Sequence, residues 1–132
     1  MNENDPTVRE LIEKSRQLLE SIAAADWLTY AELCDPSLSA FEPESRGLLV
    51  EGMPFHRFYF ELGSATGPRN ITLTAPKVRL LGDDVAVVTY VRLEQQLNEG
   101  GLPMTSRFEE TRVWHRRNGR WRHVHFHRSA MG

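Results

Sequence analysis

The chain has 132 residues, 40% of them hydrophobic, which suits one compact soluble domain and is too short for two. Its formal net charge of −2 gives no basic field, so we expect no nucleic-acid partner, and the absence of an apolar run of roughly 20 residues leaves no expected membrane partner. A polar amino terminus and a single cysteine, Cys34, exclude a secretory signal and an internal disulfide, so a reducing, cytoplasmic location is expected.

The first half of the chain is predicted to be mainly helical. Apolar residues at three- and four-residue steps predict a long amphipathic helix over residues 7–25, after a disordered tail at residues 1–6. Asp26 predicts the N-cap of a shorter helix that Asp35-Pro36 would close. A short strand at 38–41 follows, and Pro54 marks the first turn of a third helix through residue 61.

The second half of the chain predicts a series of strands. Residues 63–70 form a loop, and the strand 71–81 is interrupted by Pro76, which indicates an edge strand or a bulge because proline cannot donate to a ladder. Further strands are predicted at 85–97, 105–117 and 121–129. Helices followed by a meander of strands predict an α+β fold, with the helices packed on one face of a curved antiparallel sheet.

The last two predicted strands form a hairpin that carries an unusual number of cations. Asn118-Gly119 favours a tight type I′ turn, because both residues accept a positive φ. Alternation along the strands places arginine on the same face as large apolar groups. The groups assigned to these shared faces are Phe108, Glu110, Arg112 and Trp114 on the first strand, and Val124, Phe126 and Arg128 on the second.

Three arginines, Arg92, Arg112 and Arg128, fall on largely apolar faces of neighbouring predicted strands. Clustered guanidinium groups bind a carboxylate or a phosphate through forked hydrogen bonds. The alternative is that carboxylates of the chain neutralise them as structural ion pairs, because buried charges are usually paired within a fold. The candidate structural partners are Glu94, Glu109 and Glu110.

The histidines offer weaker signals. His56 lies on the third predicted helix with Phe60 one turn later, so it points inward either as a core residue or as a functional group. His123, His125 and His127 alternate and are expected to share one strand face. Same-face neighbours on a straight strand lie roughly 7 Å apart, too far for three to converge on one ion, so we expect no metal. No cofactor is expected either.

The chain shows no pattern typical of an enzyme nucleophile or a phosphate-binding loop. Cys34 has no histidine nearby in sequence, and neither a Gly-x-Ser-x-Gly elbow nor a glycine-rich phosphate loop occurs. The segment His115-Arg116-Arg117 is not the His-Arg-Asp loop of a kinase, and there is no Asp-Phe-Gly triplet. Phosphoryl transfer by this polypeptide is therefore excluded.

The sequence resembles the association (hub) domain of calcium/calmodulin-dependent protein kinase II over nearly the whole chain. Several long motifs carry the resemblance in order: Cys34-Asp35-Pro36, Phe41-Glu42-Pro43-Glu44, residues 49–61, Tyr90-Val91-Arg92-Leu93, residues 109–117 and residues 124–129. Phe108 stands where that family commonly has a small polar residue, and Met104 replaces a basic one.

The resemblance implies a cone similar to nuclear transport factor 2, with the hub domain spanning residues 7–132. It implies a non-catalytic homo-oligomer in which dimers stack into two rings of more than ten subunits. It also implies a pocket that takes small carboxylates, lined by residues matching three arginines and a histidine. We assign five residues to the anion pocket: His56, Arg92, Glu110, Arg112 and Arg128.

Two other functions compete with the simple scaffold. Folds of this type also serve isomerases and dehydratases, for which His56 with Glu110 is the candidate acid–base pair. A ligand-sensing hub, in which pocket occupancy biases ring stability, is the other. The scaffold itself requires apolar surface outside the sheet, and the sequence assigns Val113 and Trp121 to that outer face.

Overall fold

The computed structural model describes residues 4–63 and 67–130. Three helices precede most of the sheet, as the sequence predicts. The elements are α1 (Pro6–Ala24), α2 (Trp27–Leu33), β1 (Cys34–Phe41), a 3-10 turn (Pro43–Ser45), β2 (Val50–Glu51), α3 (Pro54–Glu61), β3 (Arg69–Leu81), β4 (Val85–Leu97), β5 (Pro103–Arg117) and β6 (Arg120–Ala130). No helix in the described ranges combines the length and apolar character needed to cross a bilayer.

Helix α1 follows its apolar stripe. Asp5 is its N-cap, because the backbone N–H of Thr7 donates to the Asp5 carboxylate at 2.8 Å. Val8, Leu11 and Leu18 are buried, as their spacing requires. The helix thus begins within the segment 1–6 that was expected to be a tail, while residues 1–3 lie outside the described part of the chain.

The chain passes from α2 into β1 without an intervening loop. Asp26 caps α2 as predicted, and its carboxylate accepts from the backbone N–H of Thr29 at 3.2 Å. Asp35-Pro36 were expected to end the helix, but they already lie inside β1. The strand starts early because Cys34 pairs with His123 of β6 in a parallel ladder, a contact that no local pattern shows.

One six-stranded sheet, in the order β2-β1-β6-β5-β4-β3, curves around the helices without closing. The α+β prediction is confirmed. Strand β3 lies at an edge, and its register shifts between Thr74 and Lys77, around Pro76. Both the edge and the bulge predicted from proline therefore occur. Of the predicted loop 63–70, residues 64–66 lie outside the described residues and β3 already begins at Arg69.

The β5–β6 hairpin has the predicted turn, with φ of 53° at Asn118 and 76° at Gly119. A bulge in β6 was not predicted: Val113 faces His125, but Trp114 faces His123, so Val124 is an extra residue. The bulge reverses the alternation of side chains along the strand. The expectation that His123, His125 and His127 share one face is therefore wrong.

The same bulge places Trp121 inside the molecule. Trp121 is only 4% exposed and belongs to the hydrophobic core, so its assignment to an outer, oligomer-forming face is wrong. The core lies between α1, α2 and the inner face of the sheet. Its largest buried side chains include Trp114, Tyr30, Leu11, Leu18 and Leu38. These apolar side chains fill one end of the space between the helices and the sheet. Polar residues line the space at the other end.

Candidate functional site

A cavity of about 310 Å³ lies between the helices and the inner face of the sheet. All three helices, the Pro43–Ser45 turn and strands β3 to β6 contribute residues to its lining. Four of the five predicted site residues line it, and Glu110 does not. The charged and imidazole groups of the lining are Glu42, Glu44, His56, Arg69, Arg92, Glu94, Arg112 and Arg128.

Glu110 lies behind the cavity wall, where it holds two arginines in place. Its carboxylate is 2.9 Å from Nη2 of Arg112 and 3.0 Å from Nη1 of Arg92, and it accepts from the Tyr90 hydroxyl at 2.5 Å. Burial opposes ionisation of this carboxyl, but the Arg112 and Arg92 charges outweigh burial and lower the pKa of Glu110. Glu110 is therefore a fixed anion and a support for the arginines.

Arg92 has a second carboxylate partner on its own strand. Its Nη2 donates to Glu94 at 2.9 Å, and Nε of Arg69 on β3 donates to the same carboxylate at 2.9 Å. The structural-pair interpretation of the arginines is thus confirmed for Glu94 and Glu110, while Glu109 is exposed. Sequence reasoning missed Arg69 because it assigned this residue to the loop before the predicted strand, although Arg69 alternates with Ile71 and Leu73.

Phe108 lies between two arginines of the cavity. The guanidinium carbons of Arg92 and Arg128 are each 5.0 Å from the centre of its ring. The third arginine, Arg112, lies 4.6 Å from the ring of Phe126. Aromatic faces attract cations and hold planar guanidinium groups flat. These rings therefore orient the arginines without supplying a negative charge.

Arg128 differs from the other arginines in its partners, which come from the Pro43–Ser45 turn and the residue before it. Nη2 of Arg128 forms an ion pair with Glu44 and lies 3.8 Å from Oε2 of Glu42. Burial, followed by the negative charge of Glu44, raises the pKa of Glu42 to about 7 despite the opposing charge of Arg128. Glu42 therefore titrates near neutral pH. The sequence points to Glu42 only through the Phe-Glu-Pro-Glu motif, because the residue lies outside any periodic element.

His56 is buried on α3 and is 5% exposed. Burial, followed by the charge of Arg112, lowers its pKa to about 4, so the imidazole is neutral at neutral pH. Its nearest carboxylate is Glu42, with 3.7 Å between Nδ1 and Oε1. Glu110 is held instead by Tyr90, Arg92 and Arg112. The structure thus gives no direct contact between His56 and Glu110 to support them as an acid–base pair.

The arrangement suits binding better than proton transfer. Arginine binds anions well but stays protonated, so it shuttles protons poorly. Two buried nitrogens that belong to cavity-lining residues, Nε of Arg92 and Nε2 of His56, have no hydrogen-bond partner among the described residues. Such atoms remain able to bond to a small polar molecule.

The other candidate groups take structural positions. Sγ of Cys34 is 3.4 Å from Nδ1 of His123, and burial raises the pKa of this thiol to about 12, so it is not a thiolate nucleophile. Nε2 of His123 accepts from Arg112 at 3.3 Å. Within residues 4–63 and 67–130, no group of three or more His, Cys, Asp or Glu side chains could hold a metal ion.

Comparison with known families agrees with this architecture. The family model for the calcium/calmodulin dependent protein kinase II association domain matches residues 7–132. The chain belongs to this association-domain family. The four residues that match the family's pocket line one cavity, and Glu110, which we assigned beside them, supports two of them.

Individual relatives show the same relationship. The delta subunit of calcium/calmodulin-dependent protein kinase type II from Oryctolagus cuniculus is 50% identical over 124 residues, which cover 92% of this chain. The structure of the Chlamydomonas reinhardtii CaMKII hub homology domain has 44% identity and a TM-score of 0.89, covering 96% of this chain and 99% of that one. An NTF2-like superfamily protein from Salmonella enterica has 26% identity and a TM-score of 0.76 over 96% and 92% of the two chains. The NTF2-like fold is thereby confirmed.

The association domain is a minor part of its kinase relative. This chain spans 23% of the length of the rabbit delta subunit. The matched part is the association domain, and the kinase domain of that relative is not covered. The resemblance therefore gives no reason to assign kinase activity to this chain.

Proposed function

We propose that this chain is a non-catalytic oligomerisation scaffold. Its dimers assemble into two stacked rings, with more than ten subunits in the whole assembly. The observation that carries the proposal is the match of residues 7–132 to an association domain, with a whole hub homology domain superposing on it. The match covers 99% of the hub homology domain and 96% of this chain, so the resemblance is not confined to one part of the fold.

The exposed apolar side chains support assembly. Phe58 on α3 is 60% exposed, Leu62 directly after α3 is 69% exposed, and Leu48 before β2 is 72% exposed. Exposed apolar surface marks protein contacts where it forms a contiguous patch, and these side chains are candidates for such contacts. Strands β2 and β3 also end the sheet with unpaired edges, which closed assemblies commonly cover. Because Trp121 is buried, these exposed residues take its place as the apolar surface that favours oligomerisation.

Native mass spectrometry of the purified chain at micromolar concentration and neutral pH tests the scaffold. We expect a narrow set of large, even-numbered assemblies, because each ring position is built from a dimer. A mass of only one or two chains would contradict the proposal. A dilution series separates the two levels, since the weaker contact between dimers is lost first.

The cavity is proposed to bind small carboxylates. Arg92, Arg112 and Arg128 supply guanidinium donors, and neutral His56 supplies a polar nitrogen. Glu110 contributes by fixing Arg92 and Arg112. Isothermal titration with butyrate tests this part, with butyramide as a control of the same size and no charge. We expect the chain to bind butyrate and not butyramide. Equal affinities for the two compounds would contradict an anion site.

The enzymatic alternative has less support. An isomerase or dehydratase needs a group that accepts and returns a proton beside the substrate. Glu110 is held ionised behind the wall, and the pKa of His56 is lowered to about 4. The cavity therefore offers charge recognition without a matched acid and base from the pair that the sequence suggested. We therefore propose that the pocket binds a ligand without turnover.

A further inference from the structure

The Pro43–Ser45 turn carries two carboxylates to one wall of the cavity. Ser45 fixes the turn, because its hydroxyl donates to the Glu42 carbonyl at 2.7 Å and accepts from the Glu42 backbone N–H at 3.2 Å. Pro43 occupies the first position of the turn. With the backbone held in this way, the Glu44 side chain reaches the Arg128 guanidinium. The Glu44 carboxylate thus already forms an ion pair with Arg128, one of the arginines that we assign to ligand binding.

The two ends of the cavity differ in how firmly their carboxylates are held. The Glu110 side chain is fully buried and contacts Arg92, Arg112 and Tyr90. The Glu44 side chain is 35% exposed, and its ion pair with Arg128 is the contact that holds it. Removing a buried carboxylate from its partners strands charges in the interior, whereas a partly exposed one can turn into water. Glu44 is therefore the carboxylate that is easiest to displace.

Glu42 is a poor candidate for displacement. Its side chain is 8% exposed, and it lies between His56 and Arg128, at 3.7 Å and 3.8 Å. When Glu44 turns away, Glu42 stays and Arg128 keeps a weaker partner at longer distance. The guanidinium then offers donors towards the cavity. The geometry leaves one short, replaceable ion pair at the site.

We propose that Glu44 is an internal competitor of the ligand: its carboxylate occupies Arg128, and a bound small carboxylate takes its place. This inference rests on the proposed anion pocket and adds a means of regulating it. Binding and release of Glu44 exchange one carboxylate for another on the same guanidinium, so the total charge around Arg128 changes little. Ligand affinity is then set by a difference between two similar ion pairs.

The experiment is isothermal titration of the whole chain with butyrate at low ionic strength and pH 7.5. Glu44→Gln removes the competing charge and keeps the side-chain length. We expect butyrate to bind roughly three- to fivefold more tightly to this variant, which is the upper part of the range for a partly exposed ion pair expressed as an affinity ratio. Glu32→Gln is the matched control, because Glu32 is an exposed carboxylate 3.7 Å from Arg120 and does not line the cavity. We expect its affinity to stay within about twofold of the parent chain.

A second variant separates competition from a change in folding. Glu44→Asp keeps the charge and shortens the side chain, so its butyrate affinity should lie between those of the parent chain and Glu44→Gln. Circular dichroism and the melting temperature of each variant check that the fold is intact. The order of the three affinities then tests the inference even if one variant is less stable.

The outcomes distinguish this inference from the proposed function. If the parent chain binds butyrate and Glu44→Gln binds it equally or more weakly, Glu44 is not a competitor of the ligand. The proposed anion pocket then still stands. A matching gain in Glu32→Gln also overturns it, because net charge alone would explain the effect. If neither the parent chain nor any variant binds butyrate, both the anion pocket and the competition by Glu44 are overturned. Binding by Glu44→Gln alone supports both.

Discussion

The two ends of the cavity solve the same electrostatic problem differently. At the Glu110 end, Arg92 and Arg112 share a fully buried carboxylate, and the Tyr90 hydroxyl donates to Glu110 and accepts from Arg112 at 2.6 Å. At the Arg128 end, the partners are a partly exposed Glu44 and a Glu42 whose pKa is raised to about 7. We call the Glu110 end the locked end, and the Arg128 end, where we propose that a ligand exchanges with Glu44, the adaptable end.

This difference shows why buried arginines alone do not define a binding site. Charges that are already paired in a protein interior contribute structure, and only their unpaired or exchangeable donors are available to a ligand. The locked end provides orientation and a fixed positive wall. In the proposed competition, the adaptable end decides whether an external anion can enter. The same residue type therefore has two roles in one cavity.

The largest expected effect comes from breaking the locked end. Glu110→Gln removes the charge that Arg92 and Arg112 share, and leaves two buried guanidinium groups with less compensation. We expect a loss of about 3 kcal/mol in the free energy of unfolding. Chemical denaturation at fixed protein concentration measures it, because assembly also affects apparent stability.

Glu109→Gln is the matched control for that measurement. Glu109 is the neighbouring residue and is exposed, so its loss should change the free energy of unfolding by less than about 0.5 kcal/mol. Equal effects of the two substitutions would show that the Glu110 network adds nothing special, and the contrast between the two ends would fail.

The next effect depends on pH and tests the adaptable end. The pKa of Glu42 is raised from 4.5 to about 7 in the folded state, so the folded chain holds this proton more tightly than the unfolded chain does. Stability from Glu42 is therefore present below pH 4.5 and is lost as pH rises through 7. His56 acts in the opposite sense, because its pKa is lowered from 6.5 to about 4: its contribution is present above pH 6.5 and is lost as pH falls through 4.

Glu42→Gln isolates the first of these contributions. The glutamine imitates the protonated acid, so the variant should nearly match the parent chain at pH 4.5 and exceed its free energy of unfolding by up to about 3 kcal/mol at pH 8. Thermal or chemical unfolding of both chains across this range measures the difference, in which the His56 contribution cancels. A difference that is independent of pH would contradict a raised pKa for Glu42.

The smallest effect on stability is expected at Arg128. Its side chain is 13% exposed and its main partner is more exposed, so Arg128→Gln should cost about 1 kcal/mol or less. The same change should nevertheless abolish detectable butyrate binding, because it removes the exchangeable guanidinium. Denaturation and titration on one preparation compare the two readouts. A large loss of stability with unchanged binding would reverse the roles assigned to the two ends.

Much of the fold was accessible from local sequence chemistry. The bounds of β4, the Asp26 cap, the Asn118-Gly119 turn and the bulge around Pro76 all follow from residues that constrain their own backbone. The arginine pocket was also partly accessible, since Arg92 and Arg112 obey simple alternation on regular strands. Each of these features depends on neighbours within a few positions in the chain.

The sequence by itself thus determined the element types, the family and four of the cavity-lining residues. Only the tertiary structure decided which carboxylates meet those arginines, because Glu42 and Glu44 reach Arg128 from a turn more than 80 positions away. It also decided that Trp121 and His123 face inward, since the bulge at Val124 is set by pairing with β5. Strand register and long-range ion pairs are properties of two segments together, so no single segment encodes them.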